Sequence, residues 1–60
     1  MSEKISVPRV IRETDNAILV ATYDEREVWL PFSQIDEIDR YPDGHAEILL
    51  ADWLVRKEDL

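Results

Sequence analysis

The sixty-residue sequence contains no cysteine, one glycine and one histidine, and its longest apolar run, Ala17 to Ala21, is five residues. Without cysteine, neither disulfides nor thiolate zinc sites can staple the chain, so its stability must come from apolar packing or from a partner subunit. A single glycine excludes a Gly-rich phosphate loop. The lone imidazole, His45, has no nucleophile motif around it, and the serines are only Ser2, Ser6 and Ser33, which argues against hydrolytic chemistry. A five-residue apolar run is too short for a membrane span or for the core of a secretory signal. The expectation is a cytoplasmic, non-catalytic protein with no cofactor, no metal and no membrane contact.

Basic residues are also scarce: seven Lys and Arg stand against fourteen Asp and Glu, a net charge of −7. The imbalance is uneven. Lys4, Arg9 and Arg12 against Glu3 leave the first twelve residues at +2 and the remainder at −9. Such a field repels phosphate backbones, so direct nucleic-acid binding is disfavoured. Sixty residues make a single domain, and a chain this short buries only about 60% of the surface its unfolded form exposes.

What the chain does contain is strand pattern. Ile5 to Glu13 reads as a first strand, with Pro8 placing it at an edge, and Met1 to Lys4 as a loose end. "AILVATY", Ala17 to Tyr23, is apolar on both faces and belongs inside a sheet. Glu27 to Pro31 follows, and "PFSQ" turns a corner at Pro31. Ile35 to Tyr41 and His45 to Leu50 form a further pair around the turn signature "YPDG". Asp52 is placed to cap a last helix over residues 53–60. Five short strands and one C-terminal helix predict a mainly β (α+β) domain: a small, strongly bent antiparallel sheet or a partly open barrel of SH3-like or OB-like kind.

Two surface constellations follow. If Ile18, Val20, Val28 and Leu30 line one face of the central strands, then Leu19, Tyr23 and Trp29 lie on the other. Either the terminal helix covers that second face with Trp53 or Leu54 and Leu60, or Tyr23, Trp29 and Phe32 remain exposed as a patch for a protein partner or a second copy of the chain. The second constellation is acidic. Asp36, Glu37, Asp39, Asp43 and Glu47 crowd a short segment opposed only by Arg40, forming a negative ribbon that is either a solubilising rim or a surface for a basic partner. Asp43, His45 and Glu47 alternate and would share one face if the last strand began early, but three residues at the simplest spacing with no fourth ligand do not make a metal site.

The segment Trp29-x-Pro31-x-Ser33-Gln34-Ile35, followed by Trp53-Leu54, Lys57 and Leu60, resembles short uncharacterised β-rich proteins of phages and prophages. The resemblance spans residues 17–60. Those relatives usually carry a Lys after the Pro and a Gly before the final Leu, where this chain has Phe32 and Asp59. Small acidic phage products often dock on a host enzyme or defence complex, sometimes occupying its nucleic-acid groove. The resemblance therefore implies an interaction module that docks on or inhibits a host protein. Two alternatives accompany it: an acidic nucleic-acid-mimicking inhibitor, and an accessory single-stranded nucleic-acid-binding barrel using Tyr23, Trp29, Arg9, Arg12 and Arg26.

Overall fold

Pro8 is where the chain changes sheets. A computed structural model describes all residues from Met1 to Leu60, and in it the expected first strand is bent into two segments, β1 (Ser2–Val7) and β2 (Arg9–Glu13). Pro8 has no N–H to give a ladder, so pairing stops there and each segment finds a different neighbour. β3 (Ala17–Ala21) and β4 (Glu27–Pro31) complete the antiparallel sheet β2-β3-β4. β5 (Ile35–Arg40) and β6 (Ala46–Ala51) form the second sheet, ordered β1-β6-β5. The fold is mainly β, with one short helix, α1 (Asp52–Lys57), at the C-terminus.

Alternation fixes which side of each sheet is inside. Ile18, Val20, Val28 and Leu30 from one sheet meet Val7, Ala46, Ile48 and Leu50 from the other, and Leu54 and Val55 of α1 close the same core. All ten are buried and no polar residue is buried with them. The Cα radius of gyration is 10.4 Å, and a compact chain of this length should have about 10 Å. Burying eight strand side chains and one turn of helix in a single cluster is how a domain without staples reaches that density.

The corners are built as their residues dictate. Pro31 ends β4 opposite Ala17, and Phe32–Gln34 make one 3₁₀ turn into β5, with the Phe32 N–H donating to the Asn16 carbonyl at 2.9 Å. In the β5–β6 hairpin the Gly44 N–H donates to the Tyr41 carbonyl at 3.0 Å, and Gly44 takes φ +98°, which glycine adopts without steric cost. The β3–β4 connection holds Glu25 at φ 69°, the left-handed step that closes a three-residue hairpin loop.

Two expectations need correction at the ends. Residues 2–4 are not loose: Ser2, Glu3 and Lys4 stand opposite Ala51, Leu50 and Leu49, and the Met1 carbonyl accepts from the Asp52 N–H at 3.0 Å. Their charged composition carries no strand signal, but β6 is apolar on its inner side and takes a neighbour along each edge. The helix also starts earlier and stops sooner than residues 53–60. Ala51 occupies the N-cap without a side-chain bond, and Asp52 lies in the first turn, 3.6 Å from Arg56. Past Lys57 the chain turns through Asp59 at φ 55°, with the Leu60 N–H reaching the Val55 carbonyl at 2.9 Å and the Asp59 N–H the Arg56 carbonyl at 3.3 Å. This is the paired closure of a Schellman motif, and it folds Leu60 back against the core.

Candidate interaction surface

The acidic residues gather on the outer face of β1-β6-β5. Ala46, Ile48 and Leu50 point inward, so Glu47, Leu49 and Ala51, all half-buried, point out. The register then builds two rows across the sheet: Ser6, Glu47, Asp39 and Lys4, Leu49, Glu37. β5 carries a bulge at Asp36, between Ile35 and Glu37, and the Asp36 carboxylate accepts from the Ser2 hydroxyl across the sheet. Asp36, Glu37, Asp39 and Glu47 thus share one face around Leu49, with Lys4 the one cation in its rows.

These four carboxylates make no ion pair. Arg40, the expected counter-charge, reaches the other sheet and holds Glu13 at 2.7 Å. The remaining pairs are Arg26 with Asp24, Arg56 with Asp52, and His45 with Asp43. Glu47 instead accepts from the Tyr41 hydroxyl at 2.8 Å. That bond, with the charges of Glu47 and Asp39 nearby, pushes the Tyr41 phenol above its ordinary value.

Asp43 is separate from this group. It sits in the hairpin loop, where the His45 N–H donates to its carboxylate at 3.0 Å and the His45 ring contacts the same oxygen. Those bonds, the backbone one first, hold its carboxyl below the usual range. β6 begins only at Ala46, so the alternation that would have aligned Asp43, His45 and Glu47 never applies. The His45 ring stacks on Tyr41 at 4.3 Å between centroids. No three His, Asp or Glu side chains stand close enough to share a metal.

The aromatic residues do not form one patch. Trp29 is 47% exposed on the outer face of β2-β3-β4, directly opposite Leu19. Tyr23, 67% exposed, lies in the β3–β4 turn with its hydroxyl 3.4 Å from that of Ser6 on β1. Phe32 is half-buried against the core. Periodicity placed Tyr23 beside Trp29, but β3 ends at Ala21, and two-residue alternation stops with the strand. Nor does α1 cover Trp29: it packs beside β1 and β6, while Trp53 stays 48% exposed and its indole N–H donates to Gln34 at 3.1 Å.

Two open grooves flank the β3–β4 turn. One, of about 480 Å³, follows the free edge of β1 between Tyr23, Arg26 and Leu60; the other, of about 450 Å³, lies over Ala21 between Arg9 and Glu27. Both are furrows in the surface rather than enclosed chambers. His45 lines neither.

Arg9, Arg12 and Glu27 share the Trp29 face; the sequence grouped Trp29 with both arginines as a basic track, but it did not place Glu27 among them or supply the bulge that brings both arginines to one side. Arg9 stands opposite Ala21 and Arg12 opposite Leu19, because a bulge at Ile11 shifts the register between Val10 and Arg12. Three residues apart, the two arginines should point to opposite sides of a regular strand. Nothing in "RVIR" announces the bulge. No helix of the chain is long and apolar enough to cross a membrane. No family model, curated protein or solved structure matches the chain.

Proposed function

We propose that this chain is a non-catalytic, phage-derived docking module of the host cytoplasm that binds a basic surface on a host protein through the outer face of β1-β6-β5. The observation that carries the reading is that Asp36, Glu37, Asp39 and Glu47 share that face without a single ion pair. Carboxylates without ion pairs on one sheet face create a potential that steers a cationic partner and fixes its register, while Leu49 and Tyr41 offer apolar contact among them. Glu37 and Asp39, two apart on β5, stand roughly 6.6 Å apart along the strand, with Glu47 opposite Asp39 on β6 and Asp36 in the adjoining bulge, a compact cluster of negative charge. The partner class that fits is a protein whose own groove is built to hold a polyanion, and an inhibitor of host defence is one form of it. The resemblance of Trp29-x-Pro31-x-Ser33-Gln34-Ile35 to short phage proteins supports the same reading.

The aromatic contribution is smaller than the sequence led us to expect, since Tyr23, Trp29 and Phe32 occupy three different places. A catalytic role has little to work with: neither groove brings the imidazole to a hydroxyl, and none of the four carboxylates of the face lines either groove.

The test is affinity capture from bacterial lysate with the wild-type chain and with the triple variant Glu37→Lys, Asp39→Lys, Glu47→Lys as bait. The proposal expects a protein retained by the wild type at low salt, released as salt rises, and absent from the variant although its circular dichroism is unchanged. Equal capture by both baits would overturn it.

A further inference from the structure

The outer face of β2-β3-β4 is divided lengthwise by chemistry. Along β2 it carries Arg9 and Arg12; along β3, the half-buried Ala17, Leu19 and Ala21; along β4, Glu27, Trp29 and Pro31. Two complete rows cross it, Arg9–Ala21–Glu27 and Arg12–Leu19–Trp29. Nothing in the chain covers these rows, and neither arginine nor Glu27 takes part in an ion pair. Within one copy they do not pair: β2 and β4 are separated by β3 and lie about 9.6 Å apart, twice the strand spacing.

We infer that this face is self-complementary and is where two copies of the chain associate, through a two-fold axis running along β3. Such an axis exchanges left and right and keeps the position along the strand. It therefore sets Arg9 against Glu27 of the second copy, Arg12 against the Trp29 ring of the second copy, and Leu19 and Ala21 each against themselves. Every row meets its chemical complement twice, once in each direction, as an isologous contact requires. The apolar centre is buried, Trp29 gains a guanidinium over its face, and Glu27 gains a cation.

The other two-fold axis lying in the face, at right angles to the strands, brings β2 against β2 and sets the arginines of one copy beside those of the other. Like charges in that arrangement disfavour it. The pattern of charge thus selects one symmetry operator as well as one surface. Aligned packing of two sheets keeps their strands within about 30° of each other, which leaves the rows opposed, and the small Ala17 and Ala21 permit the close approach of about 10 Å between sheets.

This association does not use the acidic face, which lies on the other sheet and remains open in the pair. Failure of one inference leaves the other standing.

The experiment measures self-association by sedimentation equilibrium from about 10 μM to about 1 mM in about 150 mM salt. Three proteins are compared: the wild type, Arg9→Glu, and Glu27→Arg. The wild type is expected to dimerise, and each variant alone to associate about tenfold more weakly, because each reversal acts at two symmetry-related contacts. Mixed in equal amounts, the two variants should form a heterodimer as tight as the wild-type pair, since each then supplies the charge the other lacks. With Glu37→Arg in place of Glu27→Arg, an identical charge change on the opposite sheet, the Glu37→Arg chains should pair among themselves as tightly as the wild type and show no preference for the Arg9→Glu chains, which stay weakly associated. A wild type that stays monomeric to the millimolar range, a dimer indifferent to Arg9→Glu, or a mixture that does not recover would each overturn the inference. Circular dichroism of every variant separates lost association from lost fold.

Discussion

Arg26 donates from one terminal nitrogen to the Glu58 carbonyl at 2.7 Å, and from the other to the Asp59 carbonyl at 2.8 Å. Its Nε donates to Asp24 at 2.8 Å, and its backbone N–H reaches the Thr22 hydroxyl at 3.0 Å. One guanidinium therefore ties the β3–β4 turn to carbonyls that the end of α1 leaves without helical partners. These are charge-assisted bonds to backbone oxygens, the stronger kind.

Arg26→Ala should lower stability by roughly 1–2 kcal/mol, the range for losing hydrogen bonds to a partly exposed charged group. Urea denaturation measures the loss, and amide exchange at Leu60 locates it. An unchanged midpoint would mean that Leu60 holds the tail without help.

Asp59 occupies the left-handed position of the helix terminus, where a Cβ is strained and glycine is not. Asp59→Gly should raise the unfolding midpoint, by about 0.5–1 kcal/mol of stability. A fall in Tm on substitution would argue against it.

Trp29→Ala and Ile48→Ala should separate surface from core. Trp29 is about half exposed, and its removal should leave a cooperatively folded protein; Ile48 is fully buried, and its truncation should cost about 2–5 kcal/mol. For so small a domain the second loss approaches unfolding. Near-ultraviolet and far-ultraviolet dichroism distinguish the two outcomes, and an unfolded Trp29→Ala would place the indole in the core after all.

Stability should fall at both ends of the pH range. The Asp24 carboxyl is held low by the Thr22 hydroxyl and Arg26, and that of Asp43 by the His45 amide and ring. A carboxyl that binds its proton less tightly when folded contributes fully above its ordinary value of 3.8 and loses that contribution as pH falls through its lower folded value. Tyr41 runs the other way. Its raised phenol contributes below its ordinary 10.0, and the contribution disappears as pH rises through the higher folded value. Thermal melts across both limbs should show the two declines, with Asp43→Asn flattening the acid limb and Tyr41→Phe the alkaline one.

Single-stranded oligonucleotides at low salt should not bind. Arg9 and Arg12 do share the Trp29 face, but Tyr23 lies apart in the β3–β4 turn, Arg26 is committed to Asp24 and the C-terminal carbonyls, Glu27 interrupts the track, and a net charge of −7 repels phosphate. Fluorescence anisotropy decides the matter: micromolar binding that weakens with salt would restore the barrel-type nucleic-acid reading.

Where two-residue alternation ran unbroken, the residues could be read directly. Ile18, Val20, Val28 and Leu30 are inside as their spacing required, and Pro31 and "YPDG" turn where their backbone chemistry places turns. The failures sit where alternation is interrupted. Bulges at Ile11 and Asp36 reset the faces of β2 and β5, and β3 stops two residues before Tyr23. Each is settled by pairing with a distant strand, which a local window does not contain. The acidic ribbon was legible as composition, but its division into four carboxylates on a ladder and one in a loop was not. That Arg40 would cross to Glu13 instead of facing its neighbours depends on the two sheets meeting, a tertiary fact.

The ladder that joins Ser2 to Ala51 also sets a timetable. Strand β1 leaves the ribosome ahead of the other five strands yet has no mate until β6 is made, so it must wait for all of them before it can be fastened. A truncated product lacking the last fifteen residues would be no smaller version of the same domain. It would be a bare three-stranded meander with its oily side turned to water, a ready target for proteases and for sticking to its own kind.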